Sequence, residues 1–200
     1  MTLPDPPDIA PEDRARAEVY SYLSLMLAAP PDAALLARTA ALTGDDETAL
    51  GRAIARISAD AARIDVVQAE REFNKLFIGM AHGELLPYAS HYITGFLNDK
   101  PLANLRGDMA RLAISRAPNV FEPEDNIASV LEMMAGQIMG RYGAIAPVAA
   151  QQRFFDAHLR PWAGNFFDDL AESPTARLYA GVGVLGRDFM AIEREAFDLL

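Results

Sequence analysis

The chain has no cysteine. That excludes a disulfide framework, a zinc–thiolate site, an iron–sulfur cluster and a cysteine nucleophile. It is also poor in positive charge: 18 Lys and Arg stand against 28 Asp and Glu, a formal net charge of −10. Phosphate backbones are held by clustered Lys and Arg, so nucleic acid is excluded as the main partner, and cationic partners are favoured through steering. Only three histidines are present, His82, His91 and His158, and no Glu-x-x-His pair of the kind that lines a di-iron bundle accompanies them. Neither a G-x-S-x-G nucleophile elbow nor a P-loop occurs. No catalytic set and no metal site are therefore expected. No apolar run reaches the roughly 18 residues needed to span a bilayer. The opening MTLPDPPDIAPED is acidic and proline-rich, without the basic and apolar segments of a secretion signal. A soluble, cytoplasmic protein without membrane insertion is the expectation.

What the sequence does have is helical periodicity. Of 200 residues, 51% are hydrophobic and 23% charged, enough for a packed core. Residues 1–10 read as a flexible tail and 11–200 as one helical domain. Val19, Tyr22, Leu23, Met26 and Leu27 share one face of a first helix, ended by Pro30 and Pro31. A short helix from about Asp32 to Leu42 precedes Gly44, and Leu50, Ile54, Ile57, Ala61 and Ile64 then step by four and three. Another helix from about Asp65 carries Phe73, Leu76 and Phe77 and stops at Gly79. GMAHGELLPYASHY, residues 79–92, breaks the pattern and reads as a long loop, with a hinge between two halves near residues 79–100. The helical period returns over 102–114 and again after Pro123, which fits a first helical turn. Pro147 opens a helix with Phe154, His158, Leu159, Trp162, Phe166 and Leu170 on its apolar face, kinked or split at Pro161. Ser173 and Pro174 cap a last helix carrying Leu178, Val182, Leu185, Phe189 and Ile192. With strand signals nearly absent, the fold class is all-α, a single domain of about eight to ten helices.

Two features invite a chemical reading. GVGVLG, residues 181–186, matches G-x-G-x-x-G, but no strand precedes it and no βαβ unit surrounds it. It reads instead as small residues that let two helices approach closely. His158 beside Trp162 reads as a hydrogen-bonded packing residue. The other feature is a pair of stretches, EREFNKLFIGMAHGELLPYASHY and FEPEDN, which place aromatics, carboxylates and proline where helices begin or end. Loops carried on a rigid scaffold are where binding residues concentrate. Equally, Pro87, Tyr88 and Tyr92 can be a loop pinned to the core by two rings.

These residues resemble the motifs of the TorD/DmsD family, the dedicated chaperones of molybdoenzyme maturation. EREFNKLFIG is similar to its E-[YF]-x-x-L-F-x-G motif, PYASHY to P-Y-x-S-x-Y, FEPEDN to E-P-x-D-H and HLRPW to H-L-x-x-W, in the same order over roughly residues 15–195. The resemblance implies an all-helical TorD-like protein that is not an enzyme. It implies binding of the twin-arginine leader, the enzyme body or both, of a molybdoenzyme precursor, delaying export until the cofactor is inserted. It further implies a monomer or a domain-swapped homodimer, no cofactor of its own, and in some members weak GTP binding. Carried over by position, Tyr88, Ser90 and Tyr92 match the loop motif, and Glu122, Pro123 and Asp125 the acidic one. Asn126 stands where the family pattern has histidine; it keeps hydrogen-bonding capacity but cannot carry a proton near neutral pH.

An arginine pair followed by an apolar stretch needs carboxylates at one end of a groove and apolar walls along it. The sequence offers Glu122, Glu124 and Asp125 for the first and Tyr88, Tyr92, Leu85 and Leu86 for the second. Two other readings use the same residues: a small nucleotide-binding or nucleotide-hydrolysing switch, and a structural adaptor in which these motifs only shape the fold.

Overall fold

The computed structural model describes residues 9–79, 82–116 and 121–200. The described residues form ten α-helices and one five-residue π-helical turn, with no β-strand. Most of the tail expected at 1–10 and residues 80–81 of the expected loop lie outside the described residues.

The centre is α7 (Ile127–Ile138), IASVLEMMAGQI, in which ten of twelve residues are buried. Largely apolar residues cover all of it but a narrow stripe at Ser129 and Glu132, so it must be wrapped on nearly every side. α1 (Pro11–Ala28) lies along it, and α8 (Val148–His158) packs beside it. α10 (Leu178–Asp198) is the second axis, packed against α9 (Ala163–Glu172) and α3 (Ala49–Ala61), with α2 (Ala33–Ala40) on α3. α4 (Val66–Phe73) runs into the π-helical turn Asn74–Ile78, and α5 (Ala89–Thr94) touches both α6 (Lys100–Arg111) and α9.

The close approach of α10 to α9 and α3 depends on GVGVLG. A Cβ placed on Gly183 would stand 2.5 Å from the Ala171 amide nitrogen and 2.8 Å from its Cα, and one on Gly181 would stand 2.7 Å from an Ile57 side-chain carbon. These glycines are helical residues at helix contacts, as expected from the missing βαβ context, and form no dinucleotide loop.

Three element boundaries differ from the expectation, and at Pro161 one of the two expected outcomes holds. The stretch taken as loop over 79–92 contains the start of α5, so Ser90, His91 and Tyr92 are helical. Pro123 is not in a first helical turn: its carbonyl accepts the Asn126 amide at 3.1 Å, and α7 begins four residues later with Asn126 as its N-cap. Pro161 splits rather than kinks, since α8 ends at His158 and α9 begins at Ala163. Finally, α10 begins at Leu178, and its first amides are satisfied by a residue far away in sequence rather than by Ser173.

Candidate functional site

The residue that caps α10 is Glu72, from EREF. Its Oε1 accepts the amides of Arg177 at 2.8 Å and Tyr179 at 2.9 Å, and its Oε2 accepts that of Leu178 at 3.4 Å. A helix leaves its first amides without internal partners, and a buried carboxylate there satisfies them and opposes the positive helix end. Glu72 is buried, and beside it in sequence Phe73 stacks edge to face with Phe77 and Tyr179, which also stack on each other. The first motif is thus a joint between α4 and α10. HLRPW is another: the Trp162 indole donates to the His158 carbonyl at 2.7 Å, and His158 Nε2 lies 2.7 Å from Asp108 Oδ2.

PYASHY and FEPEDN meet directly. An isolated antiparallel bridge pairs Tyr88 with Asn126, with the Ile127 amide on the Pro87 carbonyl at 2.8 Å and the Ala89 amide on the Asp125 carbonyl at 2.9 Å. Asp125 Oδ2 then accepts the Ser90 amide at 2.8 Å, and Asn126 Oδ1 accepts the Ala128 amide at 2.9 Å. One strand-like contact therefore starts two helices, α5 and α7, each capped from the acidic turn. Asn126 has the N-capping role that its residue type favours. The Ser90 hydroxyl accepts the Asp99 amide at 3.2 Å, and its carbonyl accepts from the Thr94 hydroxyl, closing α5 against the start of α6.

These contacts sort the candidate residues. Asp125 and Ser90 are 1% and 0% exposed, so neither presents a surface group. Asp125 Oδ1 is buried without a hydrogen-bond partner among the described residues. Glu124 is nearly buried and paired with Arg106 (Nε at 2.9 Å, Nη2 at 2.8 Å), with Arg116 3.8 Å away. Burial opposes its charge, but the bonds and fields of Arg106 and Arg116 outweigh that and hold its carboxyl below the usual glutamate range. Glu122 remains exposed and accepts the Tyr88 hydroxyl; Pro123 is half-buried behind it. Leu86 and Leu85 are also half-buried, and Leu85 packs on the core.

Tyr92 packs against α9. Its hydroxyl donates to Asp169 Oδ2 at 2.8 Å, and its ring stands 5.6 Å from the buried Trp162 and 6.0 Å from the buried Phe166, so one aromatic cluster joins α5 to α9. Burial, followed by the neighbouring carboxylates Glu122 and Asp169, pushes the Tyr88 and Tyr92 hydroxyls up, and both stay protonated donors at neutral pH. Beside Tyr92, a cleft of about 300 Å³ is bordered by Glu84, Leu85, Asp169 and Glu172. Glu84 is tied to Ser173 and Thr175 at 3.0 and 2.5 Å, with Lys75 3.6 Å away. Sequence reasoning missed Asp169 and Glu84. Asp169 lies seven residues after Trp162, two turns on and on the same helical side, which is the signal that marks it as a neighbour of the aromatic cluster.

Comparison with known proteins gives the family. The chain belongs to the nitrate reductase delta subunit family, whose model matches residues 43–168. Among curated relatives, the TorD chaperone of Aliivibrio fischeri is 26% identical over 198 residues, covering 89% of this chain and 92% of that protein. The TorD chaperone of Vibrio cholerae is 28% identical over 136 residues, covering 64% of this chain and 62% of the relative. That of Aliivibrio salmonicida is 31% identical over 119 residues, covering 56% and 55%. Among solved structures, a protein from Archaeoglobus fulgidus assigned to redox enzyme maturation superposes with a TM-score of 0.61 at 20% identity, over 88% of this chain and 93% of that one. The fold is therefore the all-helical one expected from the motifs. The relatives are named as chaperones, not as enzymes. Among the described residues, no helix is long and apolar enough to cross a membrane.

Proposed function

We propose that this chain is a cytoplasmic chaperone of molybdoenzyme maturation that binds the twin-arginine leader of its client precursor. The observation that carries this reading is the Tyr88–Asn126 bridge. It fuses the two motif segments into one surface, on which the Tyr88 and Tyr92 rings and Leu86 supply apolar walls. The carboxylates open to an arginine there are Glu122, beside Tyr88, and Asp169 and Glu172, at the cleft beside Tyr92; Glu124 and Asp125 are committed to Arg106 and to the start of α5. Guanidinium–carboxylate pairs give such a ligand its orientation, and the −10 chain charge speeds its encounter. Held in this way, a leader is withheld from export while the cofactor is inserted into the enzyme body.

Affinity capture of the tagged protein from its own host under anaerobic growth, with mass spectrometry of what it retains, is the test. A molybdoenzyme precursor with its leader uncleaved is the expected catch, and it names the client. Recovery of mature enzyme only, or of no molybdoenzyme under several respiratory conditions, removes the leader-binding reading. Incubation with GTP and Mg²⁺ addresses the nucleotide-hydrolysing alternative, which requires product.

A further inference from the structure

We infer that a second docking site, for an acidic amphipathic helix of a partner protein, lies at the opposite end of α7 from the leader motifs. A groove of about 430 Å³ opens where α1 and α2 diverge over the end of α7. Its floor is apolar: Tyr22, Leu35 and Met139 line it, and its edges carry Leu25 and Leu42, which are 51% and 38% exposed. Large aliphatic side chains left exposed beside an apolar trough mark an interaction surface. A seat between two diverging helices matches a third helix laying its apolar stripe into a groove.

Charge decides the kind of helix. Arg14, Arg38 and Arg141 stand around this groove, all three exposed, and none has an acid partner within 4.0 Å among the described residues. Among the described residues, Glu18 is the one carboxylate on the lining. On a chain of net charge −10, most of the surface repels an acidic ligand, and a trough bordered by three exposed guanidiniums is where one is accepted. A basic leader is repelled here for the same reason. The motif surface lies at Asn126, before the first residue of α7, and Met139 follows its last; the intervening helix of twelve residues separates the two ends by about 18 Å. Two ligands of opposite charge can therefore be held at once, and the groove does not depend on the leader reading.

The test is a fluorescence-anisotropy titration with a labelled synthetic helix of about five turns, leucine at i, i+3, i+4 and i+7 and glutamate on the flanks. A control peptide carries lysine in place of each glutamate. The glutamate peptide is expected to saturate the wild-type protein, to bind more weakly as NaCl is raised, and to lose about tenfold or more in affinity on R38E/R141E. Both arginines are exposed and have no acid partner among the described residues, so the double variant keeps its circular dichroism spectrum and thermal midpoint. Equal binding of the two peptides, or unchanged affinity in the folded double variant, overturns the proposal. So does a concentration-dependent dimer dissolved by Leu25→Asp, which would assign the groove to a second copy of this chain, and so does equal binding of anionic lipid vesicles.

Discussion

Asp125 Oδ2 accepts the amide of Ser90 at 2.8 Å, across 35 residues of sequence, with both side chains buried. A carboxylate that starts a remote helix is a structural joint, whatever it also does for a ligand. Asp125→Ala is therefore expected to destabilise the protein by about 1–3 kcal/mol, the range for a buried amide left without its acceptor. Asp125→Asn, which retains an acceptor, should be milder. Urea unfolding curves measure both, and an alanine variant as stable as wild type would remove the joint from the account.

Glu122 is the acid of the FEPEDN turn that stays in solvent, so it separates binding from folding. Glu122→Lys is expected to weaken a twin-arginine leader peptide about tenfold, the loss of one favourable charge contact and its replacement by a repulsive one. The unfolding midpoint should hardly move, since exposed pairs contribute at most about 1 kcal/mol. Calorimetric titration of the peptide, with unchanged affinity in the folded variant, would take Glu122 out of the leader surface.

Gly183 tests the meaning of GVGVLG. Its added Cβ would meet backbone atoms of Ala171, which cannot rotate away as a flexible side chain can. Gly183→Ala should cost about 1–3 kcal/mol by overpacking, despite the better helix propensity of alanine. A stabilised variant in thermal unfolding would mean that α9 and α10 are less tightly apposed than described.

His158 supplies a pH dependence. Burial lowers its pKa below the ordinary 6.5, against the opposing pull of Asp108, so the folded state prefers the neutral ring. As pH falls below 6.5 the unfolded chain takes up a proton that the folded chain resists, and stability declines. Between pH 6.5 and about 5.5 the thermal midpoint of His158→Gln is expected to fall less than that of wild type. Parallel slopes for the two proteins would remove His158 as the cause.

The helices were legible because their apolar positions recur at three and four: α1, α3 and α10 follow most of the stripes read from the sequence. Ile64, however, lies past the end of α3, and on α10 Ile192 is exposed while Glu193 is buried, held by Arg16 and Tyr20. Caps adjacent in sequence were within reach of the same reading, and Asp32, Thr48, Asp65 and Asn126 each accept an amide just inside their own helix. Remote caps were not. Glu72 and Asp125 look like surface acids in a linear string, yet they start helices 105 and 35 residues away. Nothing in local composition distinguishes a carboxylate that meets an arginine ligand from one that meets a distant helix end, because both sit in turns rich in proline and charge. The motif positions were therefore found, but their division into joints and exposed groups needed the packing.

Trp162 is the sequence's one tryptophan, buried, its indole N–H already bonded to the His158 carbonyl and its ring beside Tyr92. The protein thus carries its own optical probe one ring behind the surface proposed for the leader. Emission from an apolar pocket is blue-shifted, and any occupant that moves Tyr92 changes the quenching of that single fluorophore. On the proposed reading, a leader peptide seated against Tyr92 is followed without a label, through the emission of Trp162.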